Sequence, residues 1–222
     1  MATTNSAAYP LQVAREQVGT RELWEVALGF GSILAVLWLP TREQLIAGPV
    51  VLLAPLAMVL WRREWSGLGV GVRGMGASLW ILPAAVALAV GGVELARAAG
   101  TYHPLYQADL AHAGGYVAWT VYQQFLLQDF FMPRLTRLLT SDAAIGIAAL
   151  LFAVAHLPNL PLAAATLVWG VVSCALFRRY RSLYVLGLAQ GLLGLCFAVC
   201  VPDAMHHHMR VGLGYWRYHE TQ

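Results

Sequence analysis

Seven runs of apolar residues divide the chain, and they constrain its fold more than any other feature. They cover residues 23–39, 45–61, 77–95, 110–132, 143–157, 162–177 and 183–201. A helix needs about 20 residues to cross a hydrocarbon core of roughly 30 Å. With 59% hydrophobic and 11% charged residues, the chain has more apolar surface than a soluble fold of its size can bury. The sequence predicts an all-α, polytopic transmembrane bundle of about seven spans.

The remaining residues organise this bundle into one domain. Residues 1–22 form a polar N-terminal segment, residues 23–201 the helical domain, and residues 202–222 an interfacial C-terminal tail rich in Tyr and Trp. No internal repeat or dividing linker interrupts the helical part. The fifth run is short and ends at Pro158, so we expect a tilted or re-entrant span there.

The distribution of Arg predicts the orientation, because short cytoplasmic loops carry an excess of basic residues. With the N-terminus inside, ten Arg residues lie on the inner side and four on the outer side. The outer four are Arg42, Arg97, Arg210 and Arg217. This split favours a cytoplasmic N-terminus. Most His residues then gather at the outer face, with Glu94, Asp109 and Asp203.

Several ligand classes have weak support in the sequence. Basic residues are spread along the chain, so nucleic acid is not expected as a partner. Gly69-x-Gly71-x-x-Gly74 lacks the strand and helix of a dinucleotide site, and we interpret it as a flexible or interfacial loop. The cluster at His206 and His208 is a weak metal candidate, with His112 as an additional ligand. We predict no cofactor.

Four glutamines mark the candidate site, since amides in hydrocarbon must find partners and usually face a bundle interior. Gln124 and Gln128 lie four residues apart on one helix face, with Gln123 adjoining it, and Gln190 lies on another helix. The glycines of Gly187-x-x-x-Gly191, continuing to Gly194, predict that another helix packs closely beside Gln190.

Three sequence segments give this site a family resemblance. They are Tyr-Gln-Gln-Phe-Leu-Leu-Gln-Asp from 122, Phe-Ala-Val-Ala-His ending at 156, and Gln-Gly-Leu-Leu-Gly from 190. They resemble the motifs Glu-Glu-x-x-x-Arg, Phe-x-x-x-His and His-x-x-x-Asn or Asp of the CAAX-protease and bacteriocin-processing family, the Abi group of intramembrane proteases. The resemblance covers residues 111–201.

The resemblance implies specific roles for these positions. The catalytic glutamates correspond to Gln123 and Gln124, and the Arg corresponds to Gln128. His156, with Phe152 of the same motif, is retained. Gln190 and Gly194 replace the His and Asn of the third motif. A glutamine cannot accept the proton that a general base must take, so this implies a divergent member whose charged site has been neutralised as a unit.

Three functions follow as alternatives. The first is an intramembrane protease-like protein that, if active, hydrolyses a peptide bond in a membrane-anchored substrate, with His156 acting on water and Gln124 and Gln190 donating to the oxyanion. The second is a non-catalytic partner that binds a helix, lipid or pigment. The third is an enzyme that modifies a lipid or isoprenoid. We expect contact with membrane lipid, in the inner membrane of a bacterium.

Asp129 is the carboxylate nearest to the glutamines in sequence and a candidate binding residue. It lies about 100° around the helix from Gln128. Because intramembrane charges usually pair, we expect Asp129 to form an ion pair with Arg134 or Arg178. His156 with Glu94, Asp109 or an outer His is another possible acid–base set.

Overall fold

Helices account for nearly all regular structure in the part of the chain that the computed structural model describes, which is residues 8–72, 74–105 and 110–218. Asp109 lies outside these residues. The long helices are α1 (Ala8–Leu37), α2 (Thr41–Trp61), α4 (Ile81–Ala99), α5 (Leu110–Phe125), α7 (Ser141–Val154), α8 (Leu160–Tyr180) and α9 (Leu183–Cys200). Shorter helices are α3 (Met75–Ser78), α6 (Met132–Leu138), α10 (Asp203–His206) and α11 (Leu213–Trp216). All seven apolar runs are helical, as predicted.

Four helical stretches in the described residues are long and apolar enough to cross a membrane. They are Thr41–Trp61, Met75–Ala99 (α3 and α4 taken together), Leu160–Tyr180 and Leu183–Cys200. The predicted fifth span is the apolar helix α7, which has only 14 residues. At 1.5 Å per residue it is about 21 Å long, less than the core thickness. The polytopic bundle is therefore confirmed, whereas the count of seven full spans is not.

The predicted fourth span is interrupted by a change in helix type. The chain runs from α5 into a π-helical segment, Leu126–Phe131, and then into α6. All six residues of the π-helical segment are buried, including Gln128 and Asp129. Such wide turns are rare and frequently occur at functional sites. Here the segment lies in the middle of the core, against α2, α7 and α8.

Close packing of α9 fixes the position of Gln190. Helix α9 packs between α4 and α5. A Cβ atom built on Gly187 would lie 2.4 Å from Val121 Cγ2, and one built on Gly194 would lie 2.0 Å from the Tyr116 hydroxyl oxygen. Only a residue without a side chain leaves room for α5 here. The close helix approach predicted from the glycine spacing is confirmed.

The glycine-rich loop is docked on the helices rather than free, which corrects our interpretation of it. The Gly69 carbonyl accepts from the Leu183 N–H at 2.9 Å, and the Gly69 N–H donates to the Asp129 carboxylate at 3.2 Å. A Cβ atom on Gly74 would lie 1.5 Å from the Tyr180 carbonyl oxygen. Gly69 and Gly74 are thus required for tight contact with the α8–α9 turn, whereas a Cβ atom on Gly71 would meet nothing within 4 Å.

Candidate functional site

The four glutamines form one directional chain of hydrogen bonds across three segments. Gln128 Nε2 donates to Gln124 Oε1 (3.1 Å), Gln124 Nε2 to Gln190 Oε1 (2.6 Å), and Gln190 Nε2 to Gln123 Oε1 (2.6 Å). Gln124 and Gln128 are almost completely buried, at 0% and 1% exposure. The predicted convergence of the amides is therefore present in the structure.

Trp169 determines the direction of this chain. Its Nε1–H donates to Gln190 Oε1 at 3.0 Å. An indole is a donor only, so the oxygen of Gln190 must face Trp169, and Gln124 must present its NH₂ group to that same oxygen. Position 124 consequently needs a donor, which an ionised carboxylate is not. Position 123 needs only an acceptor, which a carboxylate provides.

Sequence reasoning missed two members of the amide network. Ser173 Oγ accepts from Gln128 Nε2 at 3.3 Å, and Trp169 binds Gln190. Both belong to α8, one helical turn apart, and therefore share a face. The sequence signal that could have revealed them is two side chains with hydrogen-bonding groups, four residues apart in an otherwise apolar helix.

An apolar cavity of about 720 Å³ lies beside the network. Its walls come from α1, α2, α5, α7, α8 and α9 and include Gln123, Gln190, Trp169 and Gly194. Gln124 and Gln128 are behind this wall, so the structure does not present Gln124 as a donor to a substrate in the cavity. Among the described residues that line the cavity there is no carboxylate.

His156 faces the same cavity from the turn after α7. Its Nδ1 lies 2.7 Å from the Phe152 carbonyl oxygen, and its ring packs edge-on against the Phe152 ring. A carbonyl oxygen only accepts, so Nδ1 carries the proton of the neutral ring and Nε2 is left as an acceptor. The side chain is 9% exposed and lines the cavity. His156 is therefore the one imidazole among the described cavity residues.

Asp129 is not part of this cavity, and our prediction of its partner is wrong. Arg134 pairs with Glu25 at 2.8 Å, and Arg178 pairs with Asp142 on the surface. The buried Asp129 carboxylate accepts from the Gly69 backbone N–H instead. It holds the glycine-rich loop, on a different side of the helix from the amides.

The C-terminal segment closes one end of the cavity through Met209 and Val211. Asn159, which is fully buried, donates through Nδ2 to the carbonyl oxygens of His206 (2.8 Å) and Arg210 (3.1 Å). The Gly212 N–H donates to the Leu157 carbonyl at 2.9 Å. The tail is thus attached to the turn that carries His156.

The weak metal candidates do not form a ligand set. His206 Nδ1 accepts from the Met209 N–H (3.0 Å) and His206 Nε2 lies 2.9 Å from the Val201 carbonyl, so both ring nitrogens are used. His208 Nε2 lies 3.1 Å from Asp203, and His112 is exposed in the first turn of α5. Within residues 8–72, 74–105 and 110–218, no three His, Cys, Asp or Glu residues are placed to hold a metal ion.

The part of the chain that carries the site is similar to one known protein family. Residues 111–196 match the family model described as Type II CAAX prenyl endopeptidase Rce1-like. The matched residues run from α5 into α9 and contain all four glutamines and His156. The resemblance to the CAAX-protease and bacteriocin-processing family is confirmed over these residues, and the four long apolar helices indicate an integral membrane protein. No curated protein and no solved structure matches the chain.

Proposed function

We propose that this protein binds the apolar chain of a membrane amphiphile, such as a lipid or a lipid-anchored peptide, without hydrolysing it. The observation that carries the proposal is the hydrogen-bonded chain of neutral amides beside the apolar cavity. Glutamines at these positions hydrogen-bond to one another and to Trp169 and Ser173, although Gln128 Oε1 is buried without a partner. The described cavity wall contributes no carboxylate to activate water. Binding needs volume and apolar contact but no proton transfer.

The size and lining of the cavity support this proposal. A volume of about 720 Å³ lies within the range of roughly 300–1,000 Å³ that is typical of small-molecule sites. Its wall is mainly Leu, Val, Phe and Trp, and its polar groups include Gln123, Gln190, His156, Thr166 and the Tyr116 hydroxyl. An acyl or isoprenyl chain gains from burial against such a wall, and the few polar groups orient it.

Two alanines of α8 allow a matched test of binding. Ala164 and Ala165 are both exposed, but of the two only Ala165 lines the cavity. We expect Ala165→Phe to reduce the amount of single-chain lipid that is retained by the purified protein, measured by native mass spectrometry, by at least about fivefold. Ala164→Phe should retain as much lipid as the wild type. Equal retention by both variants would contradict the proposal.

Peptide hydrolysis is the second candidate, and the geometry of His156 favours it. With Nδ1–H donated to the Phe152 carbonyl, Nε2 presents a lone pair at the cavity wall, where it could take a proton from water. Hydrolysis by this residue predicts that a lipid-anchored peptide is cleaved by the wild type and by His112→Ala but not by His156→Ala. Product analysis by mass spectrometry distinguishes the two candidates.

We also propose that the N-terminus is cytoplasmic, in a bacterial inner membrane. Arg62, Arg134 and Arg137 gather at one end of the bundle, while Arg210 lies at the other, near the end of α1. The excess of Arg at the first end supports its cytoplasmic location. If a reporter enzyme that is active only outside the cytoplasm is fused after Gln222, we expect it to be active. Activity of a reporter that works only in the cytoplasm would reverse the assigned orientation.

A further inference from the structure

A second cavity adjoins the apolar one at the end closed by the C-terminal segment. It measures about 670 Å³, and its lining combines the apolar residues Pro104, Leu105 and Ala198 with charged and imidazole side chains. The latter are His103, Asp203, His206, His208 and Arg210, and we call this cavity the polar chamber after them. Met209 lines both cavities. An apolar chamber and a polar chamber therefore meet at one methionine side chain, whose flexible thioether packs against ligands of varied shape. A molecule that fills both chambers must be amphiphilic.

The electrostatics of the polar chamber favour an anion. Asp203 is its only carboxylate among the described lining residues. Both Asp203 oxygens are occupied: Oδ1 accepts from the His208 N–H at 2.7 Å, and Oδ2 accepts from the Tyr218 hydroxyl and faces His208 Nε2. Arg210 is exposed, lies over the Tyr218 ring at 5.3 Å, and has no carboxylate partner within the described residues. Its guanidinium is available to a ligand.

The C-terminal segment that lines the polar chamber is held in place by hydrogen bonds. Asn159 holds the carbonyls of His206 and Arg210. His207, His208 and Met209 follow one another with φ values of 47°, 51° and 57°. Three consecutive left-handed residues other than glycine are strained, and such strain persists only where the surroundings enforce it. This backbone places Met209 against the apolar cavity while Arg210 lines the polar one.

We propose that the ligand is an anionic amphiphile whose phosphate or carboxylate head binds Arg210 in the polar chamber while its chain occupies the apolar cavity. The inference rests on the proposed function, since it names the ligand class of the same cavity. A guanidinium binds a phosphate or carboxylate through charge-assisted hydrogen bonds. The C-terminal segment of the protein therefore selects the head group, whereas His156 and the amides lie on other elements.

The test compares two ligands that differ only in their head group, hexadecyl phosphate and hexadecanol. Each is added to the full-length protein in neutral detergent, and bound ligand is quantified by native mass spectrometry. We expect wild type to bind hexadecyl phosphate at least about tenfold more tightly, as one charge-assisted contact provides. Arg210→Gln should abolish this preference and leave the affinity for hexadecanol unchanged. The control Arg217→Gln, at an exposed position that lines neither cavity, should retain it.

The other outcomes separate this inference from the proposal beneath it. If hexadecanol binds but the phosphate has no advantage, or if Arg210→Gln keeps the advantage, the head-group assignment is wrong and the apolar site stands. If neither ligand binds, both proposals fail. If millimolar inorganic phosphate displaces hexadecyl phosphate as effectively as unlabelled hexadecyl phosphate does, the site is one for free phosphate, and the amphiphile assignment is overturned.

Discussion

At the scale of single residues, Trp169 fixes the donor and acceptor roles of the glutamines in the amide chain. Because an indole can only donate, Gln190 has one permitted orientation, and the neighbouring positions 123 and 124 acquire opposite requirements. Position 123 must accept and position 124 must donate. The two positions that the resemblance aligns with a pair of glutamates are thus, in this chain, a pair of amides with different roles.

The same substitution at these adjacent positions should have different costs. Gln124→Glu places a buried carboxylate against Gln190 Oε1 and should lower the free energy of unfolding by about 3 kcal/mol. Gln123→Glu keeps an acceptor for Gln190 Nε2 and should cost less than about 1 kcal/mol. Thermal or denaturant unfolding in detergent measures both values. Similar costs would show that Gln190 can reverse its amide.

A double variant tests the role assigned to Trp169 directly. Trp169→Phe removes the donor that fixes Gln190, so its amide can turn and present NH₂ to a carboxylate at position 124. We expect Gln124→Glu to be at least about 1 kcal/mol less costly in the Trp169→Phe background than in the wild type. Additive costs would contradict this account of the network.

At the scale of elements, the contacts between helices determine at which glycines an added side chain would destabilise the fold. Gly187 lies where α9 meets α5, whereas a Cβ atom built on Gly146 of α7 would meet no heavy atom within 4 Å. Both lie inside helices, where alanine is intrinsically more stable than glycine by about 1 kcal/mol. The helix propensity is therefore equal, and only the packing differs.

Alanine substitutions should consequently have opposite signs at the two glycines. Gly187→Ala drives a methyl group to within 2.7 Å of Val121 Cα and should destabilise the protein by about 2 kcal/mol. Gly146→Ala should stabilise it by up to about 1 kcal/mol. Unfolding midpoints of the two variants measured side by side test this. A stabilising Gly187→Ala would mean that α5 and α9 are farther apart than described.

The C-terminal segment should loosen as the pH falls. Burial lowers the pKa of His206 below its usual 6.5, despite the opposing effect of Asp203 and with smaller contributions from His103 and His208. Docking therefore favours the neutral ring and weakens as the pH falls below 6.5, where the undocked ring takes up a proton. Burial raises the pKa of Asp203, but its bonds from Tyr218 and His208 outweigh that effect and hold it below 3.8, so its contribution is also lost towards acid.

Hydrogen exchange at two amides measures this docking. The Met209 N–H donates to His206 Nδ1 and the Gly212 N–H to Leu157. Relative to the intrinsic exchange rate, protection of both amides should be greater at pH 8 than at pH 5. In His206→Asn the difference should largely disappear over this range. Equal protection at both pH values in the wild type would contradict the assigned role of His206.

At the scale of the whole molecule, the two ends of the bundle are built differently. Leu37, at the end of α1, contacts Gly212 of the C-terminal segment. Glu25 lies twelve residues earlier, about 18 Å along the helix, in an ionic network. The members of this network are Arg21, Glu22, Glu25, Arg62, Glu64, Arg134 and Arg137. Titratable groups therefore gather at both ends, not only at the one that the sequence indicated.

The depth of burial separates structural from superficial ion pairs in this molecule. Arg134 is 0% exposed, donates to Glu25 and the Phe130 carbonyl at 2.8 Å, and lies over the Phe130 ring. Arg134→Leu should lower the free energy of unfolding by about 3 kcal/mol. Arg178→Leu, which breaks a pair with an Asp142 side chain that is 92% exposed, should cost less than about 1 kcal/mol. Comparable costs would contradict the role of the network.

Sequence patterns predicted those parts of the structure that depend on residues close together in the chain. Apolar runs located every long helix, and the glycine spacing located the α5–α9 contact. The ionic network joins residues 22 to 137, and the docked tail joins residues 157 to 212. Such pairs depend on which helices become neighbours, and no spacing along one helix encodes that. The partner of Asp129 was mistaken for the same reason, since a backbone N–H of a distant loop has no signature in the sequence.

The most direct test of the central claim is the mass of a lipid-anchored peptide after prolonged incubation with the purified protein. A peptide with an S-prenylated cysteine near its C-terminus would be added in stoichiometric amounts, and both bound and free fractions analysed by mass spectrometry. Our account predicts that the peptide is retained by the wild type and recovered intact. A shortened peptide formed by the wild type, but not by His156→Ala, would show that this site still hydrolyses its ligand.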